Sequence, residues 1–122
     1  PFPDQHYDLI LCNHVLEHIP DDRKAMGELY RVLKKGGTLI AQVPLDENCQ
    51  TTFEDKSITD SSERAQAFGQ YDHVRIYGQD YYLRLKSIGF SPRAVELQKS
   101  LTTEEIAQFA LPQTEAIPVM LK

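Results

Sequence analysis

The sequence predicts an α/β domain built on a mostly parallel sheet, and three observations in one stretch carry that prediction. The stretch is Tyr7 to Pro44, YDLILCNHVLEHIPDDRKAMGELYRVLKKGGTLIAQVP. Asp8–Cys12 is an apolar run without alternation, as expected of a strand buried on both faces of a parallel sheet. Met26, Leu29, Tyr30 and Leu33 recur at three- and four-residue spacing, so a helix presents one apolar face. Thr38–Val43 is a second apolar run, closed by Pro44. Strand, helix and strand in that order make a βαβ crossover.

Each element has its local reason. Pro20, Asp21 and Asp22 place a rigid entry and negative charge at the start of a helix predicted over Asp21–Lys35. Lys34 and Lys35 put positive charge at its end. Gly36 and Gly37 stop it, because glycine takes the left-handed conformation at low cost. Asp46 to Asp72 reads as a polar, irregular connection, long enough to be a functional lid. Within it, Ser61 or Ser62 can cap a short helix through Phe68, with Gly69 as the stop. Gln79–Ile88 carries Tyr82, Leu85 and Ile88 on one helical face and ends at Gly89. Ala94–Leu97 reads as a strand. Thr102 or Thr103 caps a short helix through Phe109, with Glu104 and Glu105 in its first turn. Ala116–Leu121 is the last strand, and Pro118 inside it suits an edge or a bulge.

Composition limits the function. The chain has 122 residues, enough for one domain, and 18 acidic against 13 basic side chains leave a net charge of −5. That balance disfavours a nucleic-acid backbone or an anionic membrane as the main partner. No apolar run approaches the roughly 20 residues that span a bilayer, and no secretory signal pattern is present. Cys12 and Cys49 read as reduced thiols, forming neither a disulfide framework nor a metal pattern. The expected compartment is the cytoplasm.

Four pieces of the sequence then resemble a known family. Phe2-Pro3-Asp4 stands before Tyr7-Asp8. His14-Val15-Leu16-Glu17-His18-Ile19 follows the first strand. Glu28-Leu29-Tyr30-Arg31-Val32-Leu33-Lys34 precedes Gly36-Gly37, where Lys35 replaces the family's usual proline. Asp72-His73-Val74-Arg75 stands before Tyr77-Gly78. In this order the pieces through Gly37 resemble the C-terminal half of a class I S-adenosylmethionine-dependent methyltransferase of the small-molecule, type 11-like group, and the Asp72–Arg75 run is similar to one subset of it. The resemblance implies a partial Rossmann-like methyltransferase fold, a mostly parallel sheet with a final antiparallel strand. It implies a single partial domain over 1–122. Residues 7–44 would form the strand-helix-strand core, 45–77 the lid and substrate region, and 78–122 the C-terminal helix and strands. The family's glycine-rich turn has no counterpart among the six glycines, so the chain is expected to begin in mid-domain.

Site residues follow from the same resemblance. Ligands of open α/β sheets bind at the carboxyl ends of strands. Cys12, Asn13 and His14 stand there and are implied to line the methionine part of the cofactor, S-adenosyl-L-methionine; otherwise they form a capping turn. His18 is implied to lie on the substrate side, and otherwise it packs at the start of the crossover. His73, Arg75 and Tyr77 form a polar cluster after the lid, with Arg75 suited to a substrate carboxylate or phosphate or to a salt bridge. No metal site is expected, since His14 and His18 supply two ligands at best. No catalytic residue is assigned. Methyl transfer to an already reactive nucleophile needs positioning more than acid–base chemistry.

Two functions remain open: methyl transfer to a small-molecule acceptor, or a truncated, non-catalytic methyltransferase-like module acting in interaction or structure. A nicotinamide oxidoreductase is less favoured, because its G-x-G-x-x-G fingerprint is missing. In the family the first strand pairs with Asp8–Cys12. Without that partner this strand is expected to form a sheet edge through which the chain could form a homodimer.

Overall fold

A computed structural model describes residues 1–93, 101–110 and 117–122. The crossover is present and everything else is arranged around it. β1 (Tyr7–Leu11) leads through a 3₁₀ turn (Leu16–His18) into α1 (Asp22–Val32), which returns to β2 (Leu33–Ile40), parallel to β1. The chain continues through β3 (Phe53–Glu54), α2 (Ser61–Phe68), β4 (Arg75–Ile76), α3 (Tyr81–Ile88), β5 (Ser91–Arg93), α4 (Thr103–Gln108) and β6 (Val119–Leu121). The main sheet has the order β1-β2-β6-β5, with β6 antiparallel to both neighbours. The last strand is therefore antiparallel, as the resemblance implies. β3 and β4 form a separate antiparallel pair.

The predicted strand Asp8–Cys12 is Tyr7–Leu11, and it is not buried on both faces. Leu9 and Leu11 are 54% and 64% exposed. The strand lies at the sheet edge, and only Ile10 turns into the core. An apolar run reports that a strand is short and hydrophobic; it does not report how many layers cover it.

The helix is shorter at its end than the sequence predicts. Asp21 caps α1, its side chain accepting from Lys24 N at 3.0 Å. Met26 and Val32 are buried, with Ala25, Leu29 and Tyr30 packed against the core. The helix stops at Val32 rather than Lys35, because Leu33 is already extended (φ −76°, ψ 135°) and pairs with Tyr7. Lys34 and Lys35 therefore lie in β2, not at a helix terminus, and Lys34 Nζ reaches Asp8 across the strands at 2.8 Å. The register then jumps: Leu9 faces Thr38, so residues 34–37 bulge opposite Asp8. The two glycines make the bulge instead of ending a helix. Gly36 has φ +76°, and a Cβ on Gly37 would come within 2.9 Å of the Leu33 side chain. Gly36 N donates to Lys122 O and Lys122 N to Gly37 O, tying the bulge to the C-terminal residue.

The remaining helices follow their caps. α2 is capped by Asp60, one residue before the predicted serines, and Gly69 stops it at φ 83°. Thr102 caps α4 in a capping box with Glu105. α3 buries Tyr81 and Leu85 against the core, and the Tyr81 hydroxyl donates to Ala41 O at 2.7 Å. Pro118 does not mark an edge. It precedes β6, which lies inside the sheet, and its carbonyl accepts from Ala41 N at 3.1 Å. The strand expected over Ala94–Leu97 lies outside the described residues, as does Ala116.

The left-handed bulge makes a stability prediction. Gly36→Ala places a Cβ at positive φ and is expected to cost about 1–2 kcal/mol. Urea unfolding should show a lower midpoint with an unchanged slope.

Candidate functional site at the strand ends

The site starts where β1 runs out. Pairing continues past the strand, with Cys12 N donating to Ile40 O and His14 N to Gln42 O, both at 2.8 Å. The chain then turns sharply. His14 has φ +53°, an uncommon conformation in which histidine is over-represented among non-glycine residues. The turn leaves Asn13 and His14 exposed while Cys12 is buried. Burial, and after it the charge of Glu17, raises the Cys12 thiol above its ordinary value. At neutral pH it stays protonated and is a poor nucleophile.

Two clefts open beside this turn. One, of about 250 Å³, is lined by His14, Gln42, Val43, Tyr82 and Pro118 among others. The other, of about 490 Å³, is lined by Pro44, Leu45, Asp46, Phe68, His73 and Arg75 among others. Pro44 and Leu45, just after β2, border both.

The 3₁₀ turn places Glu17 and His18 on the wall of this region. His73 arrives from 55 residues further on, because Val74 N donates to Glu17 O at 2.9 Å. The His18 and His73 rings then meet edge-to-face with centroids 4.7 Å apart. His18 Nε2 lies 3.9 Å from Glu17 Oε1, and His18 Nδ1 lies 3.3 Å from Asp72 Oδ2. Spacing along the sequence offers His14 and His18 only. One carboxylate oxygen of Glu17 and one nitrogen each of His18 and His73 lie within 4.8 Å of one another. No spacing rule joins residue 73 to residue 17; the β3–β4 pair does so in space.

Arg75 and Tyr77 sit deeper than the histidines. The Arg75 guanidinium donates from Nη1 to Leu16 O (2.8 Å) and Ile19 O (2.6 Å), from Nη2 to Pro20 O (3.0 Å), and from Nε to Glu54 (3.1 Å). Four of its five N–H donors are thus committed inside the fold. Tyr77 Oη donates to Asp22 Oδ2 at 2.9 Å, and the same oxygen accepts from Arg84 Nη1 at 3.0 Å. Arg84 Nη2 also reaches Glu54 Oε1 at 3.0 Å. Burial is the chief cause that pushes the Tyr77 hydroxyl well above its usual range, so it stays a donor. The structure therefore brings His14, His18 and His73 to the surface of the site and sets Arg75 and Tyr77 in the frame behind it. Asp22, Glu54 and Arg84 complete that frame. In the sequence they carry no signal beyond being charged.

The frame has a pH signature. Partial burial would raise the Glu54 carboxyl, but hydrogen bonds from Arg84 and Arg75 outweigh it and hold the group below its ordinary value. The unfolded chain therefore takes up this proton first. The stabilisation is complete above the ordinary glutamate value and is lost as pH falls through the lowered one. Urea unfolding below pH 5 is expected to show a shallower acid loss in Glu54→Gln than in the parent chain. Parallel acid limbs would count against this role.

Comparisons with known proteins bear on the fold. Residues 1–41 match the model of a methyltransferase-domain family. The ubiquinone/menaquinone biosynthesis C-methyltransferase UbiE of Psychromonas ingrahamii is 50% identical over 40 residues, covering 33% of this chain and 16% of that protein. The chain thus aligns with only a small part of the curated relatives it matches. Among solved structures, an S-adenosylmethionine-dependent methyltransferase from Mesorhizobium loti superposes with a TM-score of 0.55 at 14% identity, covering 99% of this chain and 64% of that one. The cyclase SpnF superposes with a TM-score of 0.55 at 16% identity, covering 99% and 51%. At these identities the superpositions establish the fold. The family likeness is confined to residues 1–41, and the superpositions show that the chain shares its Rossmann-like fold with solved S-adenosylmethionine-dependent methyltransferases.

Proposed function

We propose that this chain forms the methionine-side wall and the substrate lid of an S-adenosylmethionine-dependent methyltransferase acting on a small-molecule acceptor. The observation that carries this reading is the position of Cys12, Asn13 and His14. They lie within the matched residues and directly follow β1, and His14 lines the 250 Å³ cleft. The lining fits the group it would hold. Val43, Leu45, Pro118 and the Tyr82 ring suit an apolar methylthio chain, while Gln42 and Glu47 offer polar groups to its amino acid end. When bound, the cofactor supplies a methyl group on an electrophilic sulfonium. The chain's own residues bind, orient and exclude water. Cys12, kept protonated, does not compete as an acceptor. His18 and His73 border the acceptor side, and residues 45–77 cover it. Arg75 and Tyr77 hold that cover in register, since their polar groups face the 3₁₀ turn and Asp22.

Chemical-shift mapping tests the assignment without an acceptor. Titration with S-adenosylhomocysteine is expected to shift the Cys12, Asn13 and His14 amides, with weak affinity for this chain alone. Shifts elsewhere, or none at millimolar ligand, would overturn it.

The exposed edge supports a second expectation, self-association through β1. Leu9 and Leu11 present apolar side chains along a strand whose outer edge is unpaired among the described residues, a known pairing hazard. Light scattering should show mass rising with concentration, and Leu9→Lys should reduce it. A strictly monomeric chain at high concentration would exclude this contact.

A further inference from the structure

We propose that Glu17, His18 and His73 form a binding site for a divalent transition-metal ion, with Zn²⁺ the ion it fits most readily. The inference concerns this cluster alone and stands whether or not the chain transfers methyl groups.

The first observation is the donor set. One oxygen of Glu17 and one nitrogen from each of His18 and His73 lie within 4.8 Å of one another. Two histidines and one carboxylate with positions left open is a common ligand set for zinc and for non-haem iron. Ligand atoms around a tetrahedral zinc ion stand about 3.4 Å apart for bonds of about 2.1 Å. The three side chains would therefore close by at most about 1.5 Å, a rotamer-scale movement.

The second observation is independent of spacing. Glu17 is 1% exposed, and both of its carboxylate oxygens are buried without a hydrogen-bond partner. A buried charge without hydrogen bonds is costly, and a cation is the usual remedy. Its nearest charged or chargeable neighbours are His14 Nδ1 at 3.4 Å and His18 Nε2 at 3.9 Å, both from Oε1. A metal beside Oε1 would satisfy the carboxylate.

The third observation is the support around His18. Its Nε2 faces Glu17 while its Nδ1 lies 3.3 Å from Asp72 Oδ2. Gln70 Nε2 holds the other Asp72 oxygen at 3.0 Å. A carboxylate behind a histidine fixes its tautomer and leaves the opposite nitrogen free to ligate. The backbone contributes as well, because the bond from Val74 N to Glu17 O fixes His73 beside the carboxylate. His73 also lines the larger cleft, so an ion here would offer its open positions to an oxygen of a bound molecule.

Chelator-stripped protein titrated with zinc chloride, by calorimetry and by thermal unfolding, tests the site. Saturation at one ion per chain and a rise in Tm with zinc are expected. His73→Ala and His18→Ala should abolish both. Asp72→Asn, which removes only the supporting charge, should weaken binding by about tenfold. His6→Ala alters a histidine outside the cluster and should bind as the parent does. Glu17→Gln is not needed for the decision, so its effect on folding does not blur it. Absence of saturable zinc binding overturns the proposal. So does equal affinity in the parent and His73→Ala, which would mark adventitious binding to other histidines.

Discussion

The buried carboxylate of Asp22 is the interaction on which the rest of the structure depends. It sits in the first turn of α1, 4% exposed, and accepts from Tyr77 and Arg84. Arg75 Nε stands 3.9 Å away. Three later segments thus converge on one residue of the crossover: the start of β4, the residue after it, and α3. A carboxylate and two guanidinium groups in one buried place lose much hydration. Removing a single partner from such a set leaves a charge uncompensated and is strongly destabilising, typically by about 3–5 kcal/mol. The group therefore locks geometry as much as it adds stability. It sets where the β3–β4 pair can lie, and so where His73 stands relative to Glu17.

The same frame explains how the site is rigid at its base and open at its mouth. Arg75 ties three carbonyls in and just after the 3₁₀ turn, at Leu16, Ile19 and Pro20, to β4. Thr52 fastens the other side, its amide and hydroxyl both donating to Asp80 Oδ1 at 2.7 and 2.6 Å. Gly78 is needed there, since a Cβ would meet Cys49 O at 2.7 Å. Between these ties the connection that looked irregular is organised by a short β pair and a capped helix. His14, His18 and His73 lie outside this frame, and His14 and His73 line the clefts.

Fold and activity separate in this molecule. The same architecture serves methyltransferases and a cyclase, so the fold by itself does not fix the chemistry. Cys12 illustrates the point. A cysteine at the carboxyl end of a strand would suit a nucleophile, yet burial and the neighbouring Glu17 charge keep it protonated. Position suggests a role and environment decides it.

Local chemistry made much of the fold legible in the sequence. The crossover, the Asp21 entry, the Gly69 and Gly89 stops, the Thr102 cap and the strand-end position of Cys12, Asn13 and His14 depend on neighbours within a few residues. Local rules cover such distances. Three features depended on partners far along the chain and could not be read there. Helix α1 ends at Val32 because Leu33 pairs with Tyr7, so the glycines shape a bulge instead of a cap. β1 is half exposed because no element among the described residues covers Leu9 and Leu11. Arg75 and Tyr77 are buried because Asp22 and the carbonyls of the 3₁₀ turn receive them. The meeting of Glu17, His18 and His73 belongs to the same class. By itself the sequence determined which residues are apolar, which can cap, and which can ligate. Only the tertiary structure decided which of them meet, because burial and pairing depend on contacts between residues far apart in the chain.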